Sequence, residues 1–206
     1  MRCIAYCLLA TAFLKMKIGV LALQGAFREH IQMLRRLGVD AVEVRLPEQL
    51  RALDGLIIPG GESTTIGKIA AQYGLIEPIR QMAAQGKPVW GTCAGMIVLA
   101  KDVGIKQPLV GVMDVQVKRN AFGRQVDSFE TDLNIPEIQN GDNSPFHAIF
   151  IRAPLMESVG KDVRVLAKLD DDAIVAARQD NLLATSFHPE LTRDPRFHKY
   201  FLSMAK

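Results

Sequence analysis

Cys93 stands in the run Val89-Trp90-Gly91-Thr92-Cys93-Ala94-Gly95-Met96. The pattern is Gly-x-Cys-x-Gly, the thiol form of the nucleophile elbow, in which a strand turns sharply into a helix. Side chains at the two glycine positions would strike the strand or the helix. Such an elbow exposes Cys93 at a helix N-terminus. There the helix dipole and free backbone N–H groups favour thiolate over thiol. The N–H of Ala94, one residue on, can point at a developing oxyanion. The competing reading is a small apolar cysteine packed in a core.

A thiol nucleophile needs a general base. Of the four histidines, His30 and His198 fall within amphipathic helical patterns and read as surface or structural residues. His147 opens a strand-like run and reads as structural. His188 differs, because it ends the strand Leu182-Leu183-Ala184-Thr185-Ser186-Phe187 and begins His188-Pro189-Glu190. In extended chain, residues two apart point the same way. Glu190 is therefore expected to reach the His188 imidazole and hold the tautomer that faces Cys93. Gly-Thr-Cys-Ala-Gly and His-Pro-Glu together spell a Cys-His-Glu triad.

Pro59-Gly60-Gly61-Glu62-Ser63-Thr64 is the third feature, again at a strand's end. In open α/β sheets, ligands bind beyond the carboxyl ends of the strands. Paired glycines let backbone N–H groups approach a ligand, and Gly61 is the candidate for a second oxyanion donor. The freedom of glycine at positive φ makes the Gly60-Gly61 peptide a candidate gate that flips to switch activity. A phosphate-binding loop fails on spacing: a motif ending at Gly67-Lys68 needs Gly at 62 and Ser or Thr at 69, where the chain has Glu62 and Ile69. The plainer reading is that Glu62-Ser63-Thr64 caps a helix. Both roles are compatible.

The elements that must position these groups are short and apolar. Residues 17–23, 41–46, 55–61 and 87–91 read as strands whose continuous apolar runs suit a parallel sheet covered on both faces. Between them lie helical patterns, the first with Phe27, Ile31, Leu34 and Leu37 on one face and Gly38 as its C-terminal stop. A further helix follows Cys93. This alternation of strand and helix is the mark of an α/β fold. The second half instead shows closely spaced strands, read as hairpins on one side of the main sheet, before a closing helix with Phe197, Tyr200, Phe201 and Met204 on one face.

The chain has 206 residues, 25 Lys plus Arg, 22 Asp plus Glu and a net charge of +3. It is 49% hydrophobic and 23% charged, which excludes a disordered acidic chain, a coiled coil and a collagen-like repeat. The charge balance argues against a nucleic-acid partner. Residues 1–15 differ from the rest: they are almost wholly apolar between Arg2 and Lys15 and hold Cys3 and Cys7. The run is far short of the roughly 20 residues that span a bilayer, so no membrane is expected. It is read as arising from an upstream start, with Met16 the true start and a genuine extension or a signal peptide as the alternatives. Residues 16–206 form the expected single domain.

Taken together, LALQGAFREH (21–30), PGGEST (59–64), GTCAGM (91–96), RNAFGRQ (119–125), FIRAP (150–154) and SFHPELT (186–192) resemble the class I, triad-type glutamine amidotransferases. The match is closer to one branch, the glutaminase subunits of pyridoxal 5'-phosphate synthase. The motifs occur in that family's order across essentially Met16 to Lys206, without departure at a motif position.

The resemblance implies a three-layer, flavodoxin-like fold with a mostly parallel central sheet, helices on both faces and antiparallel strands in the second half. It implies hydrolysis of L-glutamine to L-glutamate and ammonia, with Cys93 as nucleophile and His188 and Glu190 completing the triad. Glutamine is held by Gly61, Glu62, Ser63, Arg119, Ile151 and Arg152. Arg119 and Arg152 have the alternative of being ordinary surface or inter-strand charges. Ammonia passes to a separate synthase subunit in a large hetero-oligomer, which builds pyridoxal phosphate from a pentose phosphate and a triose phosphate. Neither a cofactor nor a metal is expected, and the location implied is cytoplasmic. Three rivals remain: another cysteine-elbow hydrolase or amidotransferase subunit, a non-catalytic binding protein of the same fold, and a pyridoxal phosphate-dependent enzyme.

Overall fold

The computed structural model describes residues 16–119, 128–138 and 144–205. The expected upstream-start segment, residues 1–15, and positions 120–125 of the RNAFGRQ motif lie outside the described residues.

The first half alternates as expected. Strand β1 (Lys17–Leu21) leads to helix α1 (Phe27–Arg36), β2 (Asp40–Val44), β3 (Gly55–Ile58), α2 (Ser63–Gln72), α3 (Ile76–Ala84), β4 (Val89–Thr92) and α4 (Ala94–Leu99). Gly38 ends α1 as anticipated, at φ +82° with its N–H on the Arg35 carbonyl. The second half holds β5 (Ala100–Asp102), β6 (Met113–Lys118), β7 (Ser128–Leu133), β8 (Phe146–Ile151), β9 (Leu155–Val159), β10 (Arg164–Lys168), β11 (Ile174–Gln179), β12 (Leu182–Thr185) and α5 (Arg196–Met204).

The main sheet runs β2-β1-β3-β4-β12-β11-β9-β6-β5, with β10 also paired to β11. From β2 to β12 every pairing is parallel. Beyond β12 the direction reverses, and β11 pairs antiparallel with β12, β10 and β9. The anticipated hairpins thus extend one end of the main sheet. They turn at Asp172 and Asp180, both at positive φ, a conformation that Asp tolerates better than most residues. β7 and β8 stand apart as a two-stranded antiparallel sheet. Strands β5 and β9 were not anticipated: β5 is only three residues long, and β9 is half exposed and follows directly on Pro154.

Helices cover both faces. Along β3, Leu56 and Ile58 pack into one apolar cluster with Ile66, Ile79 and Met96 of α2, α3 and α4. Ile57 points the other way, into a cluster with Ile31 and Leu34 of α1 and Phe197 and Phe201 of α5. That is why the strand patterns are continuously apolar rather than alternating.

The elbow sits at the centre of the parallel half, where β4 lies between β3 and β12. A Cβ on Gly95 would come within 1.9 Å of the Ile58 carbonyl oxygen, and one on Gly91 within 2.4 Å of the Gly95 oxygen. Helix α4 therefore lies against backbone, with no room for a methyl group. Gly95→Ala is expected to lower unfolding free energy by at least about 2 kcal/mol, because the clash is with backbone that cannot rotate away. An unchanged urea midpoint would contradict this packing.

Candidate active site

Cys93 occupies the turn between β4 and α4 at φ 48° and ψ −107°, a conformation that non-glycine residues rarely hold. Its N–H donates to the Thr185 carbonyl of β12 at 2.8 Å, and its carbonyl accepts from Met96 and Ile97. Strain at a residue so firmly held marks a functional position. The side chain is more enclosed than the sequence reading expected, at 7% exposure. The sulfur opens onto a cavity of about 390 Å³ and lies 3.8 Å from the Ile151 carbonyl. Helix α4 has only six residues, so its dipole is small.

The stronger local charge is His188. Its backbone N–H donates to the Ile149 carbonyl of β8 at 2.9 Å. Its Nδ1 lies 2.7 Å from Glu190 Oε1, leaving the other ring nitrogen for Cys93. Burial opposes a charge on this ring, but hydrogen bonds to Cys93 and Glu190 outweigh it and push the His188 pKa up to about 10. The contact with Glu190 is the expected one, reached differently. Residues Pro189–Leu191 form a 3₁₀ turn, not extended chain, and the turn folds the carboxylate back beneath the ring.

The cavity brings the remaining candidates together. Gly61, Glu62, Ser63, Ala94, Arg119, Ile151 and Arg152 line it alongside Cys93 and His188. Glu190 is the one candidate absent from the wall, because it lies behind His188. Glu62 also caps α2, as the plainer reading held: its oxygens accept from the N–H groups of Thr64 and Thr65 at 3.2 and 2.6 Å. Partial burial opposes its charge, but these bonds and the Thr65 hydroxyl prevail and lower its pKa to about 2. Arg119 reaches across from the end of β6 to Glu62 Oε1 and to Thr64 Oγ1, both at 3.2 Å. Arg152 sits at φ 44° on the cavity wall, a second strained residue in the same place.

The two glycines before Glu62 serve close approach rather than unusual φ, and neither is left-handed. A Cβ on Gly60 would fall 2.3 Å from His188 Cε1, and one on Gly61 2.2 Å from Gln24 Oε1. The Gly60 carbonyl accepts from Ala26 N–H at 3.0 Å, and Gln24 Oε1 accepts from Glu62 N–H at 2.7 Å. Both contacts tie the loop to the Gln24-Gly25-Ala26 segment ahead of α1. Gln24 was not singled out by sequence, although the LQGAF run contains it, and Gly60 was singled out only as half of a peptide free to flip.

His30 and His198 depart from the surface reading: both are wholly buried. His30 Nδ1 lies 3.0 Å from His198 Nε2, and His30 Nε2 lies 3.3 Å from Glu190 Oε2. A signal was present, since Phe27, His30, Ile31 and Leu34 form a complete i, i+3, i+4, i+7 stripe on α1. His147 is exposed between Asp132 and Glu130, whose hydrogen bonds raise its pKa.

Burial lowers the pKa of His30 well below the usual value and that of His198 to about 3; nearby His198 and His188 add to the effect at His30. Below pH ~6.5 the unfolded chain takes up protons that these two rings refuse, so stability falls with acid by up to about 1.4 kcal/mol per pH unit for each. His188 acts in the opposite sense. Its extra proton in the folded state stabilises fully below pH ~6.5, and that contribution is lost as pH rises toward its folded value of about 10. Urea midpoints are therefore expected to peak near neutrality and fall at both pH 5 and pH 9. A midpoint still rising at pH 9 would contradict the His188 environment.

Sequence comparison agrees with the geometry. The SNO glutamine amidotransferase family matches residues 20–206. A pyridoxal 5'-phosphate synthase subunit PdxT of Herpetosiphon aurantiacus is 60% identical over 193 residues, covering 92% of this chain and 100% of that one. One of Dehalococcoides mccartyi is 61% identical over 196 residues, covering 93% and 98%. A glutamine amidotransferase crystal structure superposes with a TM-score of 0.86 at 52% identity, covering 91% of this chain and 98% of that one. A profile across nearly the whole chain and full-length relatives at this identity leave one assignment: the chain belongs to the SNO glutamine amidotransferase family.

Proposed function

We propose that this chain hydrolyses L-glutamine to L-glutamate and ammonia, and hands the ammonia to the synthase subunit that makes pyridoxal 5'-phosphate. The observation that carries the reading is the connected line from Cys93 through His188 to buried Glu190 at one wall of a cavity edged by Arg119 and Glu62. The identity with PdxT subunits supports the choice of branch.

The geometry supports the following chemistry. His188 already holds the proton it shares with Cys93, so the Cys93 sulfur attacks the side-chain carboxamide directly. The N–H groups of Gly61 and Ala94 face the oxyanion of the tetrahedral intermediate. The His188 imidazolium gives its proton to the departing ammonia, leaving a γ-glutamyl thioester. His188 then draws a proton from water, which attacks the thioester and frees glutamate. The Arg119–Glu62 pair suits a zwitterionic amino acid. A substrate carboxylate would exchange onto Arg119 and Arg152, and its ammonium onto Glu62. Ser63 and the Ile151 carbonyl complete the lining. The chemistry is served without cofactor or metal.

Among the described residues no helix is long and apolar enough to cross a membrane. The proposal places the protein in the cytoplasm, in a large hetero-oligomer with the synthase subunit, and takes residues 16–206 as its catalytic domain. The test is ammonia release from glutamine, measured with and without the synthase subunit. Turnover stimulated by that subunit is expected. No release under either condition would overturn the proposal.

A further inference from the structure

We propose that His30, oriented by His198, is a positioning residue that holds Glu190 in line with His188. The inference rests on the glutaminase reading of the triad. Glu190 is buried, and its Oε1 is taken by His188 Nδ1 at 2.7 Å. Its Oε2 receives no well-aligned hydrogen bond from any described residue. The group standing against it is His30 Nε2, at 3.3 Å. A buried carboxylate oxygen facing a nitrogen lone pair would be repelled, so the His30 proton belongs on Nε2. That N–H lies between Glu190 Oε2 and Thr92 Oγ1, which is 3.2 Å away.

The assignment then propagates. With its proton on Nε2, His30 Nδ1 is an acceptor, and His198 Nε2, 3.0 Å away, must be the donor. His198 Nδ1 is left as a buried lone pair with no partner among the described residues. This is the cheaper end to leave bare, since an unpaired N–H would lose a stronger bond to water. Burial keeps both rings uncharged, so the pair donates a proton toward Glu190 without neutralising it.

The groups facing His30 come from three elements: Glu190 from the 3₁₀ turn, with His188 at its start acting at longer range, Thr92 and Trp90 from β4, and His198 from α5. Thr92 immediately precedes the nucleophile. His30 therefore touches both the residue before Cys93 and the carboxylate behind His188. A shift of either end misaligns the thiol and the ring.

Two near-isosteric variants separate this role from space filling. In His30→Gln the side-chain amide nitrogen takes the place of ring Nε2, facing Glu190. In His30→Asn it takes the place of Nδ1, facing His198 and leaving Glu190 alone. Each is assayed as full chain with the synthase subunit. His30→Gln is expected to keep kcat within about threefold of wild type, whereas His30→Asn loses about 10- to 100-fold in kcat with KM for glutamine within about twofold. The alkaline limb of kcat/KM in His30→Asn moves down by about one pH unit, because a loosened Glu190 no longer holds the His188 proton.

Equal activity in the two variants, better activity in His30→Asn, a loss confined to KM, or failure of both to fold would each overturn the proposal. Should wild type release no ammonia, the glutaminase reading falls by itself. Iodoacetamide alkylation of Cys93 against pH then makes the same comparison, with the His30→Asn profile displaced and the His30→Gln profile not. Coincident profiles would overturn the positioning role.

Discussion

Cys93→Ala should reduce glutamine hydrolysis to the assay background, a loss of at least about 10³-fold, with or without the synthase subunit. No other described cysteine is present to substitute, and the backbone donors left behind can stabilise an oxyanion only if something forms one. Cys93→Ser should be nearly as inactive, because His188 is tuned to a thiol and a hydroxyl is far less acidic. The stability effect runs the other way at one substitution. Cys93 holds φ 48° and ψ −107°, so Cys93→Gly should be more stable than Cys93→Ala by about 1 kcal/mol, having no Cβ to strain. Ammonia release and urea melts of the three variants check both statements. Substantial turnover by Cys93→Ala would remove the residue from the mechanism.

The parts of this site that were legible in sequence are those set by local geometry. Gly91 is demanded by contacts within one strand–turn–helix unit and Gly95 by the adjacent β3 at Ile58, and the five residues around Cys93 announce the elbow. Likewise His188 and Glu190 are two apart, and any compact backbone there brings them near each other. The continuous apolar runs of β1, β3 and β4 reveal a sheet covered on both faces. Arg119 and Glu62 were linked through family resemblance alone, since nothing local joins residues 57 apart.

What local pattern did not show is what tertiary packing decides. His30 meets His198 across 168 residues, and a histidine within an amphipathic helix reads as polar surface until the stripe through Phe27, Ile31 and Leu34 is seen to include it. The 3₁₀ turn at Pro189–Leu191 depends on what His188 is tied to. Gly60 looked like a residue chosen for unusual φ. In fact its role is set by a ring from the far end of the chain, which no local pattern could disclose.

Gly60→Ala should cost at least about 10²-fold in kcat while leaving the fold intact. The added methyl would lie 2.3 Å from His188 Cε1, 3.0 Å from its Nδ1 and 3.4 Å from Cys93 Cβ. His188 has little freedom to yield. Its ring is tied to Glu190 at 2.7 Å, and its backbone N–H to Ile149 at 2.9 Å. The loop has little more, since Ala26 holds the Gly60 carbonyl and Gln24 the Glu62 N–H. Whichever gives way, a displacement of about 1 Å separates base from nucleophile or turns the Gly61 N–H off the oxyanion, and misplacement of that size is worth about 10²-fold in rate. The methyl on Gly60 would meet side-chain atoms and the one on Gly95 the Ile58 backbone, so the melt should shift far less than for Gly95→Ala. A Gly60→Ala enzyme with wild-type kcat would show that the loop relaxes freely, and that the contact between Gly60 and the imidazole does not set the triad's alignment.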